Sequence, residues 1–299
     1  MRFGISVSGS GVELLVLNNG VPVLQRHVEA LYGSYDKLLN KLVALVQSVA
    51  KEVGPPKSVG FAIPGTQVAA TGLIKNSNIT ALTGRPLRQD LAARLQSPVR
   101  LANDANCFTL SEATDGAATG APVVFGAILD HGCGGGLVVH GSLVPGRNGL
   151  AGEWGHNHLP NAKPSDLPEL ACYCGRYGCI ETYVSAPGLK HDYLLATGRS
   201  ASPKQIAKAA AAGQAEAIAA LERLEDRLAR ALASVINVLD PDCIVLGGEL
   251  SHLDRIYTKV PEQWQQYIFG RQVETRLTRA KFGEGSTVRG AARLWSEDE

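Results

Sequence analysis

One local pattern occurs twice in this chain, once at its start and once near its middle. Apolar residues run from Phe3 to Val7, turn through Ser8-Gly9-Ser10-Gly11, run again from Val12 to Leu17, turn at Asn18-Asn19-Gly20 and resume from Val21 to Leu24. Short apolar runs split by glycine and asparagine predict a three-stranded meander. The second copy runs from Val123 to Leu129, through Asp130-His131-Gly132-Cys133-Gly134-Gly135-Gly136, then Leu137 to Val139, a turn at His140-Gly141, and Leu143-Val144. Phe125-Gly126 stands where Phe3-Gly4 stands in the first. Glycine-rich hairpins are common enough that two unrelated ones are the plain alternative. The shared register favours a duplicated domain, and 299 residues exceed the roughly 250 at which a single core stops growing.

Between and after the meanders, strand and helix patterns alternate. Leu38, Leu39, Leu42, Val43, Val46, Val49 and Val53 fall at helical spacing until Gly54-Pro55-Pro56 ends the run. Ser58 to Ile63 reads as a strand stopped by Pro64-Gly65, and Val99 to Ala102 as another, ending at Asn103-Asp104. Ala207 to Ala220 reads as helix despite Gly213, and Leu221 to Leu239 as a long helix halted by Asp240-Pro241. Strand Cys243 to Leu246 then meets Gly247-Gly248. This alternation predicts α/β layering.

The charge balance limits the partner. Twenty-nine basic against 28 acidic residues leave a formal charge of +1, no field to hold a nucleic-acid backbone or an anionic membrane. No apolar run approaches the roughly 20 residues of a membrane span, and Met1-Arg2-Phe3-Gly4-Ile5 does not open a signal peptide. A cytoplasmic protein with a small-molecule partner is expected.

Three places carry chemistry. The two glycine hairpins, facing each other across a cleft, would aim backbone amides at phosphate oxygens. Asn103-Asp104-Ala105-Asn106 lies at a predicted strand end, where α/β sheets place ligands, although Asp104 could equally be a helix N-cap. Cys172, Cys174 and Cys179 crowd together after Glu153-Trp154-Gly155-His156, and three thiols with His156 form a four-ligand set suited to structural zinc. His158 competes with His156 and ranks below it.

These residues resemble ROK-family sugar kinases, and bacterial fructokinases of that family in particular. The resemblance rests on Ala62-Ile63-Pro64-Gly65, Asn103-Asp104-Ala105-Asn106, Glu153-Trp154-Gly155-His156, Cys172-x-Cys174-x4-Cys179-x-Glu181 and Val288-Arg289-Gly290-Ala291-Ala292, and it spans essentially the whole chain. It implies the actin-like ATPase (ribonuclease H-like) fold, with two similar α/β domains around a cleft, usually as a homodimer. Residues 1–118 with a closing helix at 288–299 would form one domain and 119–287 the other, without the added winged-helix segment of repressor members. It also implies ATP-dependent phosphorylation of a hexose, fructose to fructose 6-phosphate, with magnesium accompanying ATP. Asp104 would then be the general base. Asn103, Glu153, His156 and Glu181 would bind sugar hydroxyls, His156 using its second ring nitrogen while the first holds zinc. Gly9, Ser10, Gly132, Gly134, Gly247 and Gly248 would meet the nucleotide.

The chain departs from that family at the nucleotide side. Where members carry Asp-x-Gly-Gly-Thr-Lys, it has Ser6, Ser8, Gly9, Ser10 and Gly11, and a neutral serine attracts a hard dication weakly. Where members carry Gly-Thr-Gly, it has Asp130-His131-Gly132. Two like charges about 4 Å apart repel by roughly 4 kcal/mol at an effective dielectric near 20. Asp130 could instead replace the lost magnesium ligand or pair with His131. Glu249 stands where another glycine is usual. These positions raise a second reading, a sugar-binding pseudokinase or sensor.

Overall fold

Each meander seeds a five-stranded sheet, and the two sheets share one connectivity. The computed structural model describes residues 1–29, 33–270 and 272–295. In the first half, β1 (Arg2–Val7), β2 (Gly11–Asn18) and β3 (Val21–Glu29) form the antiparallel meander. Helix α1 (Tyr35–Val53) returns the chain to β4 (Ser58–Ile63), parallel to β1. A small hairpin of β5 (Thr66–Gln67) and β6 (Ile74–Lys75) and helix α2 (Leu87–Leu95) follow, and then β7 (Val99–Asn103), parallel to β4. Helix α3 (Asp104–Thr114) leads to the second half. There β8 (Val123–Leu129), β9 (Cys133–Val139) and β10 (Ser142–Leu143) repeat the meander. Helices α4 (Glu181–Val184), α5 (Ala186–Thr197), α6 (Pro203–Ala211) and α7 (Ala215–Leu239) precede β11 (Cys243–Gly247). Helix α8 (Ile256–Trp264), β12 (Arg276–Arg279) and α9 (Gly285–Ala292) complete the chain's described elements. The sheet orders are β3-β2-β1-β4-β7 and β10-β9-β8-β11-β12, the same path walked twice. This is the duplicated α/β architecture of the actin-like ATPase fold.

Burial explains why these segments take these forms. In α1, Leu38, Leu39, Leu42, Val43, Val46 and Val49 are all buried, a single apolar stripe against the first sheet. Gly54 ends the helix at φ +100, its N–H donating to the Ala50 carbonyl. All six residues of β4 are buried, as expected of a central strand covered on both faces.

Two expectations change in detail. The glycine run after Asp130 is mostly strand: β9 begins at Cys133, and Gly134, Gly135 and Gly136 pair with Ile128, Ala127 and Gly126. The turn itself is only Asp130-His131-Gly132. The alanine-rich stretch is two helices, broken at Gly213 with φ +84, because a left-handed residue cannot continue a helix.

Helices α3 and α9 exchange sheets. The first follows β7 yet packs on β8 and β9, and the second follows β12 yet packs on β1 and β4. Gly4 and Gly126 occupy equivalent places beneath them. A Cβ on Gly4 would lie 2.2 Å from the Val288 carbonyl oxygen, and one on Gly126 would lie 2.1 Å from Thr109 Oγ1. The two helices also touch backbone to backbone, a Cβ on Gly290 lying 1.7 Å from the Cys107 carbonyl oxygen. The closing helix spans Gly285–Ala292, earlier and shorter than 288–299, and residues 296–299 lie outside the described residues.

Candidate active site

The parallel strands β1, β4 and β7 run the same way, so their carboxyl ends bring together the turn at Ser8–Ser10, Pro64-Gly65 and Asn103-Asp104. Open α/β sheets place ligands at such ends. Asn103 is the N-cap of α3: its Oδ1 accepts from the amides of Ala105 at 2.9 Å and Asn106 at 3.4 Å, and its Nδ2 donates to the Gly65 carbonyl at 3.4 Å. With the cap supplied by its neighbour, Asp104 falls in the first helical turn, not at the cap. Its Oδ1 accepts from the Ala105 amide at 2.8 Å. Burial pushes the Asp104 carboxyl above the usual range, and the negative charge of Glu153 adds to this, while the Ala105 amide pulls the other way. The result is a carboxylate with raised proton affinity at a strand end.

Glu153 comes from the other half. It precedes a 3₁₀ turn, Trp154–His156, and accepts the His156 amide through its carbonyl at 3.2 Å. The buried Trp154 anchors that turn, its indole N–H donating to the Gly134 carbonyl at 3.0 Å and its ring standing edge-on to Phe125. Glu181, first residue of α4, accepts the Cys133 amide at 2.8 Å through Oε2. A Cβ at Gly132 would lie 2.7 Å from that same oxygen, so glycine there is what admits Glu181. Glu181 thereby ties the second glycine hairpin to the cysteine loop.

His156, Cys172, Cys174 and Cys179 form the expected cluster, their ligand atoms all within 4.8 Å of one another. Cys174 Sγ lies 3.6 Å from Cys179 Sγ, and His156 Nδ1 lies 3.6 Å from Cys172 Sγ. Bonds of about 2.3 Å at tetrahedral angles put thiolates about 3.8 Å apart, so a zinc ion fits this set. All six cysteines are free. His158 points elsewhere, with Nε2 2.8 Å from Glu169 Oε1. Tyr173, which the motif reading passed over, lies between two of the cysteines and brings its hydroxyl 2.9 Å from His156 Nε2.

Of the two turns expected to meet the nucleotide, the first is tight, the Ser8 amide donating to the Gly11 carbonyl at 2.9 Å while Gly9 and Ser10 stand exposed. A Cβ on Gly11 would lie 2.8 Å from His27 Cε1, so the imidazole of β3 covers the place of a side chain there. Ser6 faces Glu13 across the β1–β2 ladder. In the second turn, Asp130 Oδ1 lies 3.3 Å from His131 Nδ1, the pairing expected as one of its alternatives. Gly248, at φ +80, packs where a Cβ would meet the Leu129 carbonyl at 2.6 Å and Asp130 Cβ at 3.0 Å. Gly132, whose carbonyl accepts the Asp130 amide at 3.0 Å, and Gly248 thus both meet Asp130, whereas Gly247, at the end of β11, faces the Phe108 ring, and Glu249 opens the 3₁₀ turn Glu249–His252. Gly134 sits inside β9, not in the turn, with a Cβ position 3.3 Å from Ala105 Cβ.

The chain is 39% identical to the N-acetyl-D-glucosamine kinase of Pectobacterium atrosepticum, with 98% of each covered, and 36% identical to that of Yersinia pseudotuberculosis with the same coverage. The fructokinase likeness is not what these relatives show. A ROK hexokinase from Thermus thermophilus superposes with a TM-score of 0.86 at 25% identity, over 97% of this chain and 96% of that one. A ROK glucokinase from Streptomyces griseus, solved with glucose and AMPPNP, shares the fold with a TM-score of 0.78 at 23% identity over 98% of each chain. Residues 2–298 match the ROK family itself. With the duplicated sheets, Asp104 at the strand end and the His156 and cysteine cluster in place, the chain belongs to the ROK family.

Proposed function

We propose that this protein is an ATP-dependent sugar kinase whose substrate is N-acetyl-D-glucosamine. The observation that carries the reading is Asp104, a carboxylate of raised proton affinity at the carboxyl end of β7, facing the charge of Glu153 from the other half. Asp104 accepts the proton of a sugar hydroxyl as that oxygen bonds to the terminal phosphorus of ATP and the bond to the ADP oxygen breaks. Asn103, Glu153, His156 and Glu181 hold the other sugar groups. Gly9, Ser10, Gly132, Gly134, Gly247 and Gly248 line the nucleotide. Magnesium would enter with ATP and offset phosphate charge, and Ser6 near the end of β1 and Asp130 in the second turn are the residues that would offer it oxygen. Zinc on His156, Cys172, Cys174 and Cys179 fixes the imidazole's orientation, so the metal shapes the sugar side without joining the chemistry.

The named relatives move the expected substrate from fructose to the N-acetylated sugar, and they lend no support to a pseudokinase. The remaining assignments are a homodimer in the cytoplasm and lobes of 1–118 with 288–299 and of 119–287. Among the described residues, no helix is long and apolar enough to cross a membrane. An ADP-release assay over N-acetyl-D-glucosamine, glucose and fructose tests the central reading. Fastest turnover on the N-acetylated sugar, lost in Asp104→Asn, is expected. No turnover on any of the three, or a preference for fructose, overturns it.

A further inference from the structure

The ligands of the metal cluster are unevenly spaced along the chain. Cys172, Cys174 and Cys179 crowd together, whereas residues 157–171 intervene between His156 and Cys172. A site closed by so long a segment is costly to form unless the segment is already ordered, since each backbone residue fixed on metal binding loses conformational freedom. Its two ends are ordered against the cysteine run. The Leu159 amide donates to the Gly178 carbonyl at 2.8 Å, the Gly178 amide to the Leu170 carbonyl at 2.9 Å, and the Ile180 amide to the Asn157 carbonyl at 2.8 Å. Cys179 therefore lies in a backbone frame that the segment supplies.

The middle of the segment is held by a different element. Asp166 ends the 3₁₀ turn Pro164–Asp166 and is 3% exposed, and it meets two buried arginines of α7, Arg227 and Arg230. Its Oδ1 accepts from Arg227 Nε at 2.8 Å, while Oδ2 accepts from Arg230 Nη2 at 2.9 Å and from the Lys163 amide at 2.8 Å. The same guanidinium groups reach the backbone on either side. Arg230 Nη1 donates to the Pro160 and Asn161 carbonyls at 2.9 and 3.0 Å, and Arg227 Nη2 to the Ser165 carbonyl at 3.1 Å. Helix α4 joins at this point, the Tyr183 hydroxyl donating to the Asp166 carbonyl at 3.0 Å.

Buried ion pairs are a poor source of stability, because desolvation offsets most of their attraction. Here they define one geometry. The donors of two planar guanidinium groups point in fixed directions, and only one placement of three carbonyls and a carboxylate satisfies them. None of these contacts uses a side chain of the metal cluster. We propose that Asp166 is a positioning residue for the metal site, locking residues 157–171 onto α7 in the shape that the ligands need before the metal arrives. This inference rests on the zinc assignment above.

The test uses the full-length chain, stripped of metal under a reducing agent and titrated with zinc against a chromophoric chelator. Asp166→Asn alters no ligand, yet it should weaken zinc binding by at least about tenfold, the lower end of what outer groups contribute to metal affinity. Asp192→Asn is the control for stability alone. Asp192, on α5, accepts from Arg227 Nη1 at 2.7 Å and Arg223 Nη2 at 2.6 Å, and no hydrogen bond or ion pair among the described residues ties it to residues 157–171. That variant should bind zinc as the parent does, whatever it loses in Tm. A second measurement needs no variant: when zinc is removed from the parent, the amides of Lys163 and Asp166, bonded to the Asp166 carboxylate and the Lys163 carbonyl, should keep their protection from hydrogen exchange. Loss of that protection means that the metal orders the segment, and it overturns the proposal. Equal weakening of zinc in the two variants, or unchanged zinc affinity in Asp166→Asn, overturns it as well. A parent that takes up no zinc overturns the metal assignment itself, and this inference with it.

Discussion

At the scale of single residues, the pair Asn103 and Asp104 divides two tasks that the sequence leaves mixed. Either could cap a helix by type. The backbone turns so that Asn103 has extended dihedrals and caps, which leaves Asp104 for the proposed role of base. Asp104→Asn keeps an acceptor for the Ala105 amide and removes the base, so turnover should fall by about 10² to 10⁴ while sugar affinity stays within about tenfold. Equal losses of rate and affinity would make Asp104 structural. The base works only when ionised, and its carboxyl is raised, so kcat/KM should climb with pH through a limb above about 3.9, the ordinary aspartate value. Stability runs the opposite way. A folded-state carboxyl raised above its unfolded value binds protons more tightly when folded, so the fold loses stability as pH rises through that window. Asp104→Asn should therefore raise Tm at pH 8 and leave it nearly unchanged at pH 3.5. A Tm lowered at pH 8 contradicts the raised carboxyl.

At the scale of elements, the crossed helices α3 and α9 depend on two features that the sequence shows only as isolated letters. One is close approach: Gly290→Ala would drive a methyl group against the Cys107 carbonyl and should destabilise by at least about 1 to 3 kcal/mol, read as a lowered denaturant midpoint. The other is Glu112, buried in α3. It accepts from the amides of Ala117, Lys281 and Phe282 at 2.7, 3.0 and 3.3 Å and from the Ser286 hydroxyl at 2.6 Å. Glu112→Ala strands those donors, and each unsatisfied buried group costs about 1 to 3 kcal/mol. Chemical denaturation should show a loss of at least about 3 kcal/mol; a loss under 1 would mean water replaces the carboxylate. Such partners lie far apart in the chain, and no periodicity links Glu112 to Ser286. The meanders and α1 were legible because their apolar spacing is local. The cysteine loop was legible because ligand type and number are chemical demands, whereas Tyr173 was not, since an aromatic between ligands carries no spacing signal.

At the scale of the whole molecule, duplication was readable from Phe3-Gly4 and Phe125-Gly126, and the two sheets follow one order. How the halves share helices was not, because α3 and α9 each pack away from the strand that precedes them. That exchange matters for the proposed nucleotide site, which draws on both glycine hairpins, one from each half. Ser6→Asp alone would set a carboxylate directly opposite Glu13, whose own carboxyl burial already pushes up and Glu284 raises further, against the partial relief of His27. Like charges directly opposite on a ladder destabilise by up to about 1 kcal/mol, so the single change should bind nucleotide poorly and lower Tm. Ser6→Asp with Glu13→Ala removes that conflict in the first half, and Asp130→Gly with His131→Thr removes the charge beside Gly248 in the second. Each pair should tighten Mg·AMPPNP by roughly tenfold, about 1.4 kcal/mol. Combined, they should exceed the product of the two, because one nucleotide couples both hairpins and changes at a shared ligand are not independent. Calorimetry on the four proteins decides it. Strict multiplicativity would mean that the halves bind phosphate separately, and unchanged affinity throughout would place the limit at Glu249 or in the closure of the two halves.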